Sequence, residues 1–161
     1  MPTARASRTI AASAEQLWEI VGDPHHLPRW WPRVTRVEDV SGAAFTEVMT
    51  TSRGTVVRAD FSVVHSDEQE RALRWAQQLE GTPFARVLSS AETEVRLEPV
   101  AHDGLPSAAV AQLHPGVATH VSIELRQALT GFFPRFGGFM VRRAATATLK
   151  EALDGLERIG V

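Results

Sequence analysis

Apolar and polar side chains alternate along most of the sequence between residues 34 and 129, and this alternation limits the fold more than any other feature. The clearest run, residues 55–66 (TVVRADFSVVHS), puts Val57 and Phe61 on one face and Arg58 on the other. Similar runs occupy residues 34–40, 44–51, 71–79, 84–100 and 117–129. Most are bounded by glycine or by polar turn residues. The pattern predicts antiparallel strands, each with one polar and one apolar face.

Two short helices are predicted after a first strand at residues 4–10. Ser13-Ala-Glu-Gln16 has the form of a capping box, in which the serine hydroxyl accepts from the Gln16 amide while the glutamine side chain reaches back. The second helix starts at Asp23-Pro24 and is ended by Pro32, because proline suits a first helical turn and interrupts a later one.

One long amphipathic helix is predicted at the C-terminal end, starting near Pro134. Leu149, Ala152, Leu153 and Leu156 recur at the spacing of a single helix face. A helix of about 25 residues spans ~37 Å, which is enough to cross a sheet. The sequence therefore predicts an α+β, helix-grip fold: a curved antiparallel sheet of about seven strands, two short helices and one long C-terminal helix, in a single domain over residues 1–161.

Composition excludes several kinds of site. The sequence has no cysteine and no tyrosine, which excludes disulfides, thiolate zinc sites and catalysis by a phenol. Its net charge of −2 argues against nucleic acid as a partner. The first residues lack the apolar segment of a signal peptide, and no run has the length and hydrophobicity of a membrane span. We therefore expect a cytoplasmic monomer or homodimer with no stable membrane insertion.

The side chains predicted to face inward form a candidate ligand-binding wall. Its apolar members are Val57, Ala59, Phe61, Val63, Trp75, Val95, Leu97, Val121, Ile123 and Leu125. The same side chains would serve equally well in a filled core. Filling the space needs bulky groups from both sides, however, and the helix face opposite offers Gly138, Ala145 and Ala152. This mismatch favours a cavity, and apolar cavities with a few polar groups are the usual small-molecule sites.

Three polar residues are candidates for orienting a ligand in this cavity. Arg142 falls on the helix stripe that faces the sheet, where it meets a ligand oxygen, pairs with Glu47 or another acid, or is solvated if the helix is rotated. His65 ends an inward-facing run and is a weak candidate for a catalytic base, because such a histidine is more often structural. Gln77 also faces inward and is placed to bond a ligand oxygen.

The segment 131–139 (GFFPRFGGF) is rich in phenylalanine and broken by glycine. It either packs its own rings or forms a flexible mouth where Phe136 or Phe139 touches ligand. A membrane-contacting patch is a third interpretation, disfavoured because few basic residues accompany the aromatic ones. No metal site is expected, since His25 and His26 point apart on a short helix without supporting acids, and no motif implies a cofactor.

Motifs near both ends of the sequence resemble one known family, the polyketide cyclase/dehydrase and lipid-transport family. They are Ile10-Ala-Ala-Ser-Ala-Glu-Gln-Leu-Trp18, Asp23-Pro24, Leu27-Pro-Arg-Trp-Trp-Pro-Arg-Val34 and Glu151-Ala-Leu-Asp-Gly-Leu-Glu157. That family belongs to a superfamily that includes START domains and the birch-pollen-allergen fold. The resemblance covers essentially the whole chain and implies the fold. It does not select a function, because members include lipid carriers, aromatases, cyclases and hormone receptors.

We therefore predict a non-catalytic protein that binds or carries a small hydrophobic or amphipathic molecule, such as a lipid or polyketide, in an internal cavity. The alternative implied by the resemblance is a polyketide aromatase/cyclase or dehydratase acting on a bound poly-keto chain. The absence of tyrosine and the scarcity of inward-facing acids weaken that alternative. An interaction module of the co-chaperone kind would need an exposed apolar patch, which the sequence does not reveal.

Overall fold

The computed structural model describes residues 2–100, 118–131 and 137–160. Its strands are β1 (Thr3–Ile10), β2 (Val34–Ser41), β3 (Ala44–Thr50), β4 (Val56–Asp67), β5 (Ala72–Gln77), β6 (Leu88–Pro99) and β7 (Thr119–Leu129). Its helices are α1 (Ala14–Val21), α2 (Leu27–Trp30) and α3 (Gly137–Gly160), with short 3-10 turns at Pro24–His26 and Pro83–Arg86. The predicted helix start near Pro134 and the candidate contact residue Phe136 lie outside the described residues.

The seven strands form one antiparallel sheet in the order β1-β7-β6-β5-β4-β3-β2. The register shifts within three neighbouring strand pairs, β2–β3, β4–β5 and β6–β7. Such bulges bend a strand and increase its twist, so they curve the sheet around the helix. This architecture confirms the predicted α+β fold with its curved sheet, two short helices and long final helix.

The first helix is fixed by the predicted capping box. The Gln16 amide donates to the Ser13 hydroxyl over 3.1 Å, and the Ser13 amide donates to the Gln16 side-chain oxygen over 3.3 Å. These two bonds satisfy amides that the first turn of a helix leaves without partners.

One predicted strand is shorter in the structure than in the sequence pattern. Residues 84–100 were expected to be extended throughout, but β6 begins only at Leu88 because Pro83–Arg86 forms a 3-10 turn. Pro83 stands at the first position of that turn, where its fixed φ and missing amide hydrogen cost little.

The long helix α3 packs against the edge strand β1 and against α2. It comes unusually near to α2 at Gly155, where a Cβ atom would lie 2.4 Å from the Trp30 carbonyl oxygen. At its other end, the nearest atoms to a Cβ on Gly138 would be Leu129 Cδ1 at 3.9 Å and Pro2 Cγ at 4.0 Å. No helix in the described ranges combines the length and hydrophobicity needed to span a bilayer.

Candidate functional site

The concave face of the sheet is completely filled at one end. Val95, Leu97, Val121 and Ile123 are at most 1% exposed, as are Leu149, Leu153 and Leu156 of α3. A void large enough for a water molecule would leave part of these side chains accessible. Since almost none of their surface is accessible, no such void touches them. Four residues of the predicted ligand wall therefore belong to the packed core, which is the other interpretation that the sequence allowed.

The same face is open farther along the strands. Val57, Phe61, Val63, Leu125 and Gln77 are only half-buried. Strand pairing nevertheless places them inward, because Val63 lies opposite the buried Trp75 and Phe61 lies opposite both Gln77 and the buried Phe45. Ala59 is 3% exposed and completes this part of the wall. The concave face therefore keeps accessible surface along β4 and β5 and at Leu125 of β7.

The side of α3 that continues from Gly155 toward the helix start carries small side chains. Val141, Thr148 and Gly155 are separated by about two helical turns each, so they share one side of the helix. Gly155 meets α2, and the same side continues toward the helix start with Val141, Ala144 and Thr148. Val141 and Thr148 are half-buried and Ala144 is exposed. The first half of α3 therefore lacks the leucines that fill the core under its second half.

A chain of aromatic rings packs along the concave face, with Trp31 and Phe61 half-buried and the others buried. Trp30 and Trp31 of the α2 region meet edge to face at 5.3 Å between ring centroids, and Trp31 meets Trp75 at 5.8 Å. On the neighbouring strands, Phe45 and Phe61 stack at 5.5 Å. Contacts of this kind hold large rings in fixed orientations, so the wall is preformed.

Charged side chains concentrate on the outer, convex face. Arg126 contacts Glu124 and Glu94 there, and Arg5 and Arg96 pair with the same two carboxylates. These ion pairs bridge β1, β7 and β6 where water is accessible, and each adds little stability by itself. Their position leaves the concave face mainly apolar.

Glu47 is an exception to this separation of charged side chains on the convex face from apolar ones on the concave face. Its strand partners are Val37 on β2 and Ala59 on β4, both on the concave side, and its own side chain is 3% exposed. Within the described residues its carboxyl forms no hydrogen bond and no ion pair. Burial raises the pKa of the Glu47 carboxyl to about 8, because an ion in an apolar wall loses its hydration. At neutral pH this residue is mainly a neutral carboxylic acid.

The prediction that His65 faces inward was wrong. The register of β4 with β5 shifts between Val63 and His65, so His65 lies opposite Arg74 on the outer face and is exposed. One inserted residue reverses which side of the sheet every later side chain occupies. His65 therefore cannot act as a base toward a molecule held in the concave space.

Arg142 and Phe139 also lie away from the concave space. Both line a surface groove along α3 together with Arg143, Thr146, Ala147 and Lys150. Arg142 is exposed, so of its three predicted environments the structure has the solvated one, and Phe139 is 58% exposed. The prediction that these two residues contact the ligand is not supported by where they lie.

The sequence prediction missed Glu47 as a site residue and named it only as a partner for Arg142. The signal was present, because Phe45, Glu47 and Met49 occupy alternate positions of one strand and must share a face. The expectation that inward-facing acids are scarce overlooked this residue. Trp31 and Met49 were likewise left out of the predicted wall, although both pack against the core.

Several solved structures share this fold. A START superfamily protein from Mycobacterium smegmatis matches with a TM-score of 0.73 and 17% identity, over 98% of this chain and 96% of that one. The di-domain ARO/CYC BexL from the BE-7585A biosynthetic pathway matches with a TM-score of 0.75 and 19% identity, over 98% of this chain but 46% of that protein. The major latex-like protein 151 of Panax ginseng matches with a TM-score of 0.66 and 13% identity, over 100% and 99% of the two chains.

Identities this low establish a common fold only, and no curated protein matches the sequence. The family model described as polyketide cyclase/dehydrase and lipid transport, in contrast, matches residues 1–159, nearly the whole sequence. That match agrees with the resemblance of the N-terminal and C-terminal motifs and with the helix-grip architecture. The chain belongs to the polyketide cyclase/dehydrase and lipid transport family.

Proposed function

We propose that the protein binds a small, largely apolar molecule in the open half of the concave face, between the middle strands and the first half of α3. The observation that carries this proposal is the contrast in exposure along one sheet face. Val95 and Ile123 have almost no accessible surface, whereas Phe61, Val63 and Leu125 point the same way and keep part of theirs.

Burial of ligand surface supplies the affinity in this proposal. Removing ~200 Å² of apolar surface from water contributes ~5 kcal/mol before the costs of association are subtracted. The half-buried rings of Phe61 and Trp31 keep apolar surface accessible, and their packing against the buried Phe45 and Trp75 fixes them before a ligand arrives. A flat or extended hydrophobic molecule suits such a wall.

Adjacent valines on β4 give a matched test of the site. Val63 faces the concave space and Val64 is 47% exposed on the strand's other side. We expect Val63→Trp to fill the space and to lower the affinity for 2-ethylnaphthalene by more than about tenfold, since the ligand would lose most of its buried area. We expect Val64→Trp to bind it as the wild type does. Equilibrium dialysis of the two purified variants measures both affinities.

The same pair distinguishes an open cavity from a filled core. If the space is open, Val63→Trp retains native stability in urea denaturation; in a filled core it would lose about 1–3 kcal/mol through overpacking. Organic extraction of both variants after expression, followed by mass spectrometry, should find a retained compound in Val64→Trp and not in Val63→Trp. The concave binding site would be refuted if Val63→Trp and Val64→Trp bound the probe equally well and Val63→Trp were destabilised by overpacking.

Catalysis on a bound poly-keto chain is the second candidate function. Glu47 favours it, because a neutral buried acid can protonate a carbonyl oxygen while a neighbouring enol carbon attacks the carbonyl carbon. The carboxylate that remains can then take up the proton that the enol oxygen releases, which restores the acid. Family membership is compatible with this chemistry. Incubation with a synthetic poly-β-keto thioester should then give cyclised product faster with the wild type than with Glu47→Gln. Equal rates with and without protein would leave binding as the function.

A further inference from the structure

We propose that Glu47 makes the cavity selective for ligands that carry a neutral oxygen acceptor, such as a ketone or ester carbonyl, by donating a hydrogen bond from its carboxyl O–H. This inference rests on the proposed binding function and adds the chemical class of the ligand. It assigns the polar contact to β3 rather than to His65 or Arg142, which lie outside the concave space.

The position of Glu47 places its carboxyl group in a wall that is otherwise apolar. Phe45 and Met49 lie on either side of it along the same face of β3. Across the strands its neighbours are Val37 and Ala59. Three residues close to it, Val37, Met49 and Val57, are half-buried, whereas Glu47 itself is 3% exposed. A ligand lying over these three residues would reach the edge of the carboxyl.

No charged group faces Glu47 from the strands that pack against its own. Arg36 and Glu38 on β2 occupy positions that alternate with Val37 and therefore point to the outer face. Arg58 and Asp60 alternate with Ala59 on β4 in the same way, and Asp60 accepts a hydrogen bond from Thr46 there. On α3, the cations Arg142, Arg143 and Lys150 line the surface groove. Within the described residues this carboxyl has no charged or hydrogen-bonding partner, and a ligand group takes that place in the proposal.

The protonation state decides which ligand group fits. With a pKa of about 8, the carboxyl is mainly neutral at pH 7 and presents one O–H donor. A carbonyl oxygen accepts that hydrogen bond without bringing a charge into the wall. A ligand carboxylate would bring an unpaired charge into the apolar wall, and a hydrocarbon would leave the donor unpaired. Both cost free energy in an apolar site.

Three probes with one ring system test the role of Glu47. They are 2-acetylnaphthalene as the ketone, 2-ethylnaphthalene as the hydrocarbon, and 1-(2-naphthyl)ethylamine as a cation that an ionised Glu47 would favour. Equilibrium dialysis at pH 6.5 and pH 9.5 measures each affinity. We expect the wild type to prefer the ketone over the hydrocarbon by about five- to tenfold at pH 6.5, the value of one hydrogen bond to a buried donor. The preference should fall to about one at pH 9.5, where Glu47 is ionised and no longer donates.

Two substitutions of Glu47 complete the test. Glu47→Gln keeps an N–H donor without titrating, so the ketone preference should persist at both pH values. Glu47→Leu removes the donor, so the preference should disappear at both while 2-ethylnaphthalene still binds. Glu38→Gln, on the outer face of the neighbouring strand, is the matched control and should behave as the wild type.

A ketone preference that survives in Glu47→Leu would overturn the proposal. Tighter binding of the amine than of the ketone by the wild type would also overturn it, because Glu47 would then act as a carboxylate. If ketone and hydrocarbon bind equally and Val63→Trp blocks both, the cavity stands and the role of Glu47 falls. If no probe binds the wild type, the binding function and this inference fall together.

Discussion

The Gly155→Ala variant is expected to lose about 2–3 kcal/mol of its free energy of unfolding. Glycine-to-alanine changes inside helices normally stabilise a protein, by up to about 1 kcal/mol. The change in the free energy of unfolding expected here therefore has the opposite sign. The reason is contact with backbone: a Cβ at residue 155 would lie 2.4 Å from the Trp30 oxygen, 2.7 Å from its Cα and 2.9 Å from its carbonyl carbon. A rigid backbone cannot yield as a flexible side chain does, so α2 and α3 must separate.

Gly138→Ala is the matched control, because it makes the same change near the start of the same helix. Its Cβ would meet Leu129 and Pro2 only at ordinary van der Waals distances of 3.9 and 4.0 Å. We expect its stability to be unchanged or slightly higher. Urea denaturation of both variants at pH 7, followed by tryptophan fluorescence, measures the difference. Equal stabilities would contradict the close approach of α2 to α3.

The architecture was predictable because the patterns that encode it are local. Alternation along residues 55–66 is a property of one strand and shows its two faces without knowledge of any partner. The capping box at Ser13 is equally local, and the structure confirms it. The position of the long helix followed from the spacing of Leu149, Leu153 and Leu156, which are all buried in the core.

The predictions about individual site residues failed where pairing or coverage decides the outcome. The orientation of His65 depends on a bulge, and a bulge belongs to the pairing of β4 with β5 rather than to either sequence. The exposure of Arg142 depends on how much of the molecule lies over the first half of α3. Val95 is fully buried and Val63 half-buried on the same sheet face, a difference set by what packs over each residue, which strand periodicity does not describe.

Glu47 shows the complementary case, in which the pattern held information that a polarity rule hid. A charged residue between Phe45 and Met49 is in phase with the concave face. The usual assumption that glutamate seeks water or an ion pair assigned it to Arg142 instead. A buried acid is tolerated here because it folds in its neutral form, and this has a measurable consequence for stability.

Stability should fall as the pH rises from about 5 to 8, and Glu47 should account for on the order of 3–4 kcal/mol of that fall. Above its ordinary pKa of 4.5 the unfolded chain releases this proton, whereas the folded protein retains it up to about pH 8. The folded state therefore binds more protons across this window, and raising the pH favours unfolding. Above pH 8 both states are ionised and the contribution becomes constant.

Urea denaturation of the wild type and Glu47→Gln at several pH values between 5 and 9 isolates this contribution, because the other titrating groups are common to both. We expect Glu47→Gln to gain stability relative to the wild type as the pH rises to 8, and the difference to level off beyond it. Glu38→Gln is the control: hydrogen bonds from Arg36 and Arg58 lower the pKa of the Glu38 carboxyl, so its titration lies below this window. Parallel curves for the wild type and Glu47→Gln would mean that the Glu47 carboxyl is hydrated or paired, and that the concave wall does not hold it as a neutral acid.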